Sequence, residues 1–358
     1  MPSEIGHDVC RFFRFAIFIL PTLLMGSLYY MPSFQHLIKP YKSSSTAHHP
    51  ILVLIWLWPF DQPFDLELCS SQFNIQGCHL TVDQSLYDKA DAVLIHHRDI
   101  TRDLSNLPQS PRPPHQKWIW MNLESPSNTA QIPSLDNQFN VSLSYRRDAD
   151  ISVPYGRLVP VNQDHKFVPP EKDKLVCWIV SNYNPEHKRV HYYEQLQKYV
   201  QVHVYGDYFE RHVSEEEYKD IVSGCKFYLS FENSMHKDYI TEKLFNALDL
   251  GAIPIVVGPS RHNYECFIPA DAFIHVNDFS TVRALAKYLL LLDRDEAMYR
   301  RYFRWKRHFQ VKTFSFPAEN ACLACDYIRQ NRQYQVLMNL YQWYWDKGEE
   351  PDKSLFLY

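Results

Sequence analysis

The sequence predicts an α/β fold in which two domains, each built on a parallel β-sheet, face one another across a cleft. Apolar runs of strand length are continuous rather than alternating, the mark of strands buried on both faces beneath helices. Helical segments lie between some of these runs. A stretch rich in proline and charge divides the runs into two sets, so the pattern occurs twice. The length of 358 residues suits two domains plus appendages, and a hydrophobic content of 46% is enough for two cores. A formal charge of −4, with no long basic run, argues against a nucleic-acid partner.

Taken in order, residues 1–14 read as a cytosolic tail and Phe15–Met31 as a single transmembrane anchor. The anchor segment carries no charge, follows Arg11 and Arg14, and lacks a small-residue cleavage site. The flanking arginines predict a type II orientation with the C-terminus in the lumen. Residues 32–50 have little periodicity and read as a stem. The first domain, residues 51–160, holds the runs Ile51–Leu57, Ala92–Ile95 and Trp118–Met121. Residues 161–174 form the linker, inside the Pro-rich stretch Val153–Lys174. The second domain, residues 175–330, holds Leu175–Val180, Val200–Tyr205, Lys226–Phe231 and Ile253–Val257, with helices over Pro185–Lys198 and Tyr239–Leu250. Gly251 follows the latter as a C-cap. Met298–Tyr344 reads as helical and strongly aromatic, and residues 331–358 as a C-terminal helix and tail.

Lumenal exposure makes structural disulfides the default for the seven cysteines beyond the anchor, although Cys322-x-x-Cys325 alone could suggest zinc or redox chemistry. Asn140-Val141-Ser142 is an N-glycosylation sequon, in keeping with a lumenal face.

In open parallel sheets ligands bind beyond the C-terminal ends of strands, and the least ordinary polar clusters lie there. They are His96-His97-Arg98-Asp99, Asn122-Leu123-Glu124-Ser125, Ser181-Asn182 with Arg189, and Glu232-Asn233-Ser234 with Tyr239, Glu242 and Lys243. Two facing sheet domains on an anchor and stem is a layout used in sugar transfer. That reaction releases a nucleoside diphosphate, whose developing charge needs a metal or fixed cations. Arg189 and Lys243 supply such cations, and the helix start near Tyr239 adds N–H donors and a favourable dipole. Glu242 is placed to accept ribose hydroxyls. The attacking hydroxyl must lose its proton, and Glu124, wedged between aromatic and proline residues, is the candidate base; partial burial would raise its proton affinity. Asp148-Ala149-Asp150 matches a metal-holding D-x-D pattern, but Arg146 and Arg147 precede it and can pair with it.

The segments WIWMNLESP, YRRDADI, VPYG, SNYNPEHKRVHYYEQL and FYLSFENSMHKDYITEKLFNAL resemble the α-1,3-fucosyltransferase family, from about Ile51 to Trp345. The resemblance implies a GT-B type fold of two facing Rossmann-like domains, a metal-free active site, and inversion at the transferred fucose. It implies Glu124 as catalytic base. Ser181, Asn182, Arg189, Asn233, Tyr239, Glu242 and Lys243 would form the GDP-fucose site, and His96, His97 and Arg98 the acceptor-reading stretch. An arginine after the two histidines goes, in the family, with Galβ1,4-linked acceptors. The implied disulfides are Cys69–Cys322, Cys78–Cys325 and Cys177–Cys225, leaving Cys266 free. The implied setting is the Golgi membrane, with a homodimer left open. Ala149 and Asp249 depart from residues usual in the family, and the tail after Trp345 runs past where many relatives stop.

Overall fold

The computed structural model describes residues 50–161 and 167–346; the segments expected as cytosolic tail, anchor and stem, apart from Pro50, and the tail after Asp346 lie outside them. Among the described residues no helix is long and apolar enough to cross a membrane.

The first sheet has six strands: β1 (Ile51–Ile55), β2 (Cys78–Thr81), β3 (Ala92–His96), β4 (Lys117–Asn122), β5 (Val141–Ser144) and β6 (Ile151–Ser152). Their order is β2-β1-β3-β4-β5-β6, and every neighbouring pair is parallel. The second sheet orders β12 (Ile274–His275), β11 (Ile253–Val257), β10 (Cys225–Phe231), β8 (Lys174–Ile179) and β9 (Val202–Tyr205), again all parallel. The runs Ala92–Ile95, Trp118–Met121 and Ile253–Val257 fall on the most buried strands, as continuous apolar character requires.

Two short helices are α1 (Leu68–Ser71) and α5 (Arg261–Glu265); longer ones cover both faces of the second sheet. On one side lie α2 (Lys188–Leu196), α6 (Val282–Arg294) and α7 (Glu296–Arg301), burying Val190, Leu196, Leu285, Leu289 and Tyr299 against Val176, Phe227 and Ile255. On the other lie α3 (Glu215–Gly224), opened by a Ser214/Glu217 capping box, and α4 (Glu242–Asp249), capped by Thr241. Gly251 follows α4 at φ 78°, the left-handed conformation expected of a C-cap glycine. Asp249, the unusual residue near that helix end, gives its carbonyl to Lys306 Nζ at 2.9 Å.

Two features differ from the sequence reading. Inside the segment expected to be helical, Phe309–Thr313 forms β13, antiparallel to β7 (Gly156–Pro160), which lies in the Pro-rich stretch. Its alternation of apolar and polar residues (FQVKT) has the period of a strand half-buried on one face. The helix α8 (Ala318–Gln330), assigned by the sequence to the second domain, packs instead on the first sheet. There its Ala321, Ala324 and Ile328 meet Ile51, Leu80 and Leu94. Two disulfides hold it, Cys69–Cys322 and Cys78–Cys325, and a third joins Cys177 to Cys225. Cys266, expected to be free, is instead disulfide-bonded, so among the described residues no cysteine is free.

Candidate active site

The cleft is assembled from strand ends of both sheets. On the first sheet, Asn122 closes β4 and shapes the following turn. Its Oδ1 accepts from the Glu124 N–H at 3.2 Å and its Nδ2 donates to Thr129 Oγ1 at 3.0 Å. Glu124 is half-buried, and its Oε2 accepts a hydrogen bond from Tyr239 Oη at 3.3 Å, across the cleft. Its backbone carbonyl accepts from Tyr344 of α9 (Leu340–Trp345). Tyr239 is buried, with its ring edge-on to Tyr145 and Tyr155 at 5.2 and 6.3 Å.

On the second sheet, β10 delivers Glu232 into a buried position. Glu232 Oε1 accepts from the Thr241 N–H at 2.8 Å, and Lys243 Nζ lies 3.3 Å from its Oε2. Lys243 Nζ also donates to Thr241 Oγ1 (2.9 Å) and Glu242 Oε1 (3.0 Å). Burial alone would depress the ammonium, but the carboxylates of Glu232 and Glu242 outweigh it and hold Lys243 above its ordinary range. Burial pushes the Glu232 carboxyl up, with Lys243 opposing. Arg189, on the first turn of α2, is 4% exposed. It donates through Nη2 to the Asn182 carbonyl, while its Nε has no partner among the described residues. Burial lowers its proton affinity and the Glu232 charge opposes this, so Arg189 and Lys243 lie in the field of one carboxylate. A desolvated guanidinium with an unsatisfied donor is a ready anion site. The helix start contributes less than expected, because the Thr241 cap takes the Lys243 N–H.

Ser181 and Asn182 are exposed at the end of β8, and Asn233 is half-buried with its Oδ1 accepting from Ser234. The acceptor-reading stretch divides. Arg98 is exposed, with its guanidinium 5.5 Å above the Phe60 ring, and Asp99 is taken by His96 Nδ1 (2.8 Å) rather than by Arg98. His97 does not read an acceptor. It is buried, with Nε2 on the Ala130 carbonyl at 2.8 Å and Nδ1 accepting from Trp120 Nε1 at 3.0 Å, which consumes both ring nitrogens. The sequon residue Asn140 is buried too. Its Nδ2 donates to the Gln335 carbonyl at 2.7 Å and its Oδ1 accepts from the Trp118 N–H, so a glycan there requires the Gln335 segment to stand off.

Several residues hold the cleft in ways the sequence did not indicate. Arg147 of the first domain reaches the buried Asp238 of the second at 2.9 Å, and Asn263 Nδ2 bonds the same carboxylate at 2.8 Å. Ser125 meets Ser234, and Ser127 meets His236, each at 2.6 Å. In sequence Arg147 is expected to pair with the D-x-D aspartates, but only Arg146 meets one of them and Arg147 goes to Asp238; Ser125 and Ser234 stand in the strand-end clusters without a partner assigned, and Ser127 carries no signal.

The description "Fucosyltransferase, N-terminal" matches residues 48–156, and "Glycosyltransferase family 10 (fucosyltransferase) C-term" matches residues 169–343. The chain belongs to glycosyltransferase family 10, the fucosyltransferases. As a member of that family it is 53% identical over 310 residues to the 4-galactosyl-N-acetylglucosaminide 3-alpha-L-fucosyltransferase 9 of Mus musculus, covering 86% of each chain. With the Homo sapiens protein of the same name it shares 48% over 348 residues, 92% of this chain and 97% of that one. A 3-galactosyl-N-acetylglucosaminide 4-alpha-L-fucosyltransferase of Bos taurus is 47% identical over 310 residues, covering 84% of this chain and 83% of its own. A solved alpha1,3-fucosyltransferase with GDP-fucose superposes with a TM-score of 0.51 at 17% identity, over 77% of this chain and 88% of that one; it shares the GT-B fold.

For this family 10 chain, the two aspartates of the D-x-D pattern do not converge. Asp148 forms two bonds with Arg146 (2.8 and 2.7 Å), and Asp150 accepts from the Ser142 N–H and Oγ (2.8 and 2.7 Å). Among the described residues no group of three or more His, Cys, Asp or Glu is arranged to hold a metal ion.

Proposed function

We propose that this chain transfers L-fucose from GDP-β-L-fucose to the 3-hydroxyl of N-acetylglucosamine in Galβ1,4-GlcNAc glycans of glycoproteins and glycolipids, with inversion, making Lewis x-type structures. The observation that carries this reading is the Tyr239–Glu124 bond, in which a carboxylate from one domain meets the cation-bearing segment of the other. Membership of family 10 and the names of the close relatives support the donor and the linkage.

In this reading Glu124 takes the proton of the acceptor 3-hydroxyl as its oxygen attacks the anomeric carbon of fucose. The bond from that carbon to the diphosphate breaks on the opposite face, and the configuration inverts. GDP departs with its charge held by Arg189 and Lys243, with Glu242, Asn233, Ser181 and Asn182 lining the nucleotide side. The cations are fixed before the reaction, which is what makes such stabilisation effective. We place the chain in the Golgi membrane through Phe15–Met31, with both catalytic domains in the lumen. The uncharged run and its flanking arginines support that placement.

The test is transfer by the full chain in detergent, from GDP-fucose to Galβ1,4-GlcNAc and to Galβ1,3-GlcNAc, with product linkage read by NMR. The expected product is the 3-linked fucoside of the first disaccharide, with little use of the second, whose 3-hydroxyl is occupied. Equal use of both, or fucose on galactose, overturns the proposal.

A further inference from the structure

The turn after β5 presents an arginine that the mechanism above does not use. Its neighbours are engaged within the first domain: Arg146 bonds Asp148 and the Trp343 carbonyl, and Asp150 is held by Ser142. Arg147, between these anchors, turns to the second domain. Its Nε donates to Asp238 Oδ1 at 2.9 Å and its backbone N–H to Oδ2 at 3.1 Å. The Asp238 side chain is fully buried, and its backbone sits at φ 62°, in the left-handed region that L residues avoid. Asn263 of α5 completes the surroundings. Its Nδ2 donates to Asp238 Oδ1 at 2.8 Å, and its Oδ1 accepts from the Asp238 N–H at 2.6 Å. A buried carboxylate in a strained turn persists only where its surroundings over-determine it. The next residue is Tyr239, whose hydroxyl donates to Glu124.

We infer that Arg147 is a positioning residue for the base: by holding the Asp238 turn across the cleft, it sets the Tyr239 hydroxyl against Glu124. The inference rests on the reading of Glu124 as the base given above. The donor cations do not depend on this bond. Thr241 is held through its N–H and Oγ1 by Glu232, and Lys243 by Glu232, Thr241 and Glu242, all in the second domain. The turn at Asp238 and Tyr239, just before them, is what Arg147 fixes. The Tyr239–Glu124 bond is 3.3 Å long, at the far end of the range, so a shift of a fraction of an ångström at Asp238 decides whether it forms. Small displacements of that size are enough to lower turnover while leaving binding intact.

The experiment uses the full chain with Arg147→Ala, Arg147→Lys and Asp238→Asn, and with Tyr239→Phe alone and combined with Arg147→Ala. Because Arg147→Ala strands a buried charge, Asp238→Asn, which is neutral and tolerates the left-handed backbone, carries the same test. On Galβ1,4-GlcNAc, Arg147→Ala and Asp238→Asn are expected to lower kcat about tenfold, with the GDP-fucose KM changed less than about twofold. Arg147→Lys, which restores a cation, should stay within about threefold of wild type. In Tyr239→Phe, which lacks the hydroxyl, adding Arg147→Ala should cost less than about twofold more. The same loss with and without the hydroxyl, or a GDP-fucose KM that rises as kcat falls, overturns the inference. Hydrogen exchange reads the contact without turnover. Amides of Lys237–Ile240 should exchange about tenfold faster in Arg147→Ala, and those of α4 at the wild-type rate. Unchanged exchange at Lys237–Ile240 overturns the inference. Faster exchange there, in a chain whose wild type transfers no fucose, upholds the contact and counts against the functional reading alone.

Discussion

His97 shows how a single residue changes meaning on folding. In sequence it belongs to a polar cluster at a strand end, but in the structure the Trp120 indole can only donate, so Nδ1 is the unprotonated nitrogen and Nε2 carries the hydrogen. Burial holds its pKa down at about 4, from an ordinary 6.5. The folded state therefore binds fewer protons than the unfolded state between those values. The stability it contributes is complete above pH 6.5 and falls as pH drops towards 4, by up to about 3 kcal/mol. Replacing it with Phe should flatten the fall of Tm across that window, in calorimetry from pH 7 to 4; an unaltered slope would mean His97 is not the group. Residue types at the site were legible because cations and carboxylates after continuous apolar strands have few structural uses. Which of them stay reachable was not, since His96, His97 and Arg98 adjoin in sequence and only Arg98 is exposed.

At the scale of elements, the apolar runs located seven strands within a residue or two but missed the buried β5, whose VSLS alternates apolar and hydroxyl residues. Short edge strands such as β6 and β12, two residues each, left no readable period. β13 was hidden by its aromatic surroundings. The return of α8 to the first sheet could not be read from α8 itself, whose alanines fit any sheet. Its disulfide partners, carried over by resemblance, were the clue, since Cys69 and Cys78 belong to the first domain. The two bridges close overlapping loops of 253 and 247 residues that share most of their length, so either one alone imposes nearly the same constraint. Removing Cys69–Cys322 by paired Ala substitution should cost little, whereas removing both bridges should cost about 5 kcal/mol in the chain-entropy account. Urea denaturation of wild type, each single-bridge removal and the double removal measures this. Equal, additive losses from each single removal would show that the bridges act through local packing rather than through loop closure.

On the scale of the molecule, the loop that carries Glu124 and the segment from Glu232 to Lys243 belong to different sheets. They are joined by Ser125–Ser234, Ser127–His236, Arg147–Asp238 and Tyr239–Glu124. Periodicity finds strands but not how two domains face each other, so sequence pattern alone had no means of placing these bonds. The account requires that base and donor cations be energetically separate while geometrically joined. Glu124→Gln keeps the side chain's shape and its bond to Tyr239 but cannot take a proton. Turnover on Galβ1,4-GlcNAc should fall by on the order of 10²–10⁴, while GDP affinity by titration calorimetry stays within about twofold of wild type. Near wild-type turnover, or a parallel loss of GDP affinity, would contradict the assignment of Glu124 as the base.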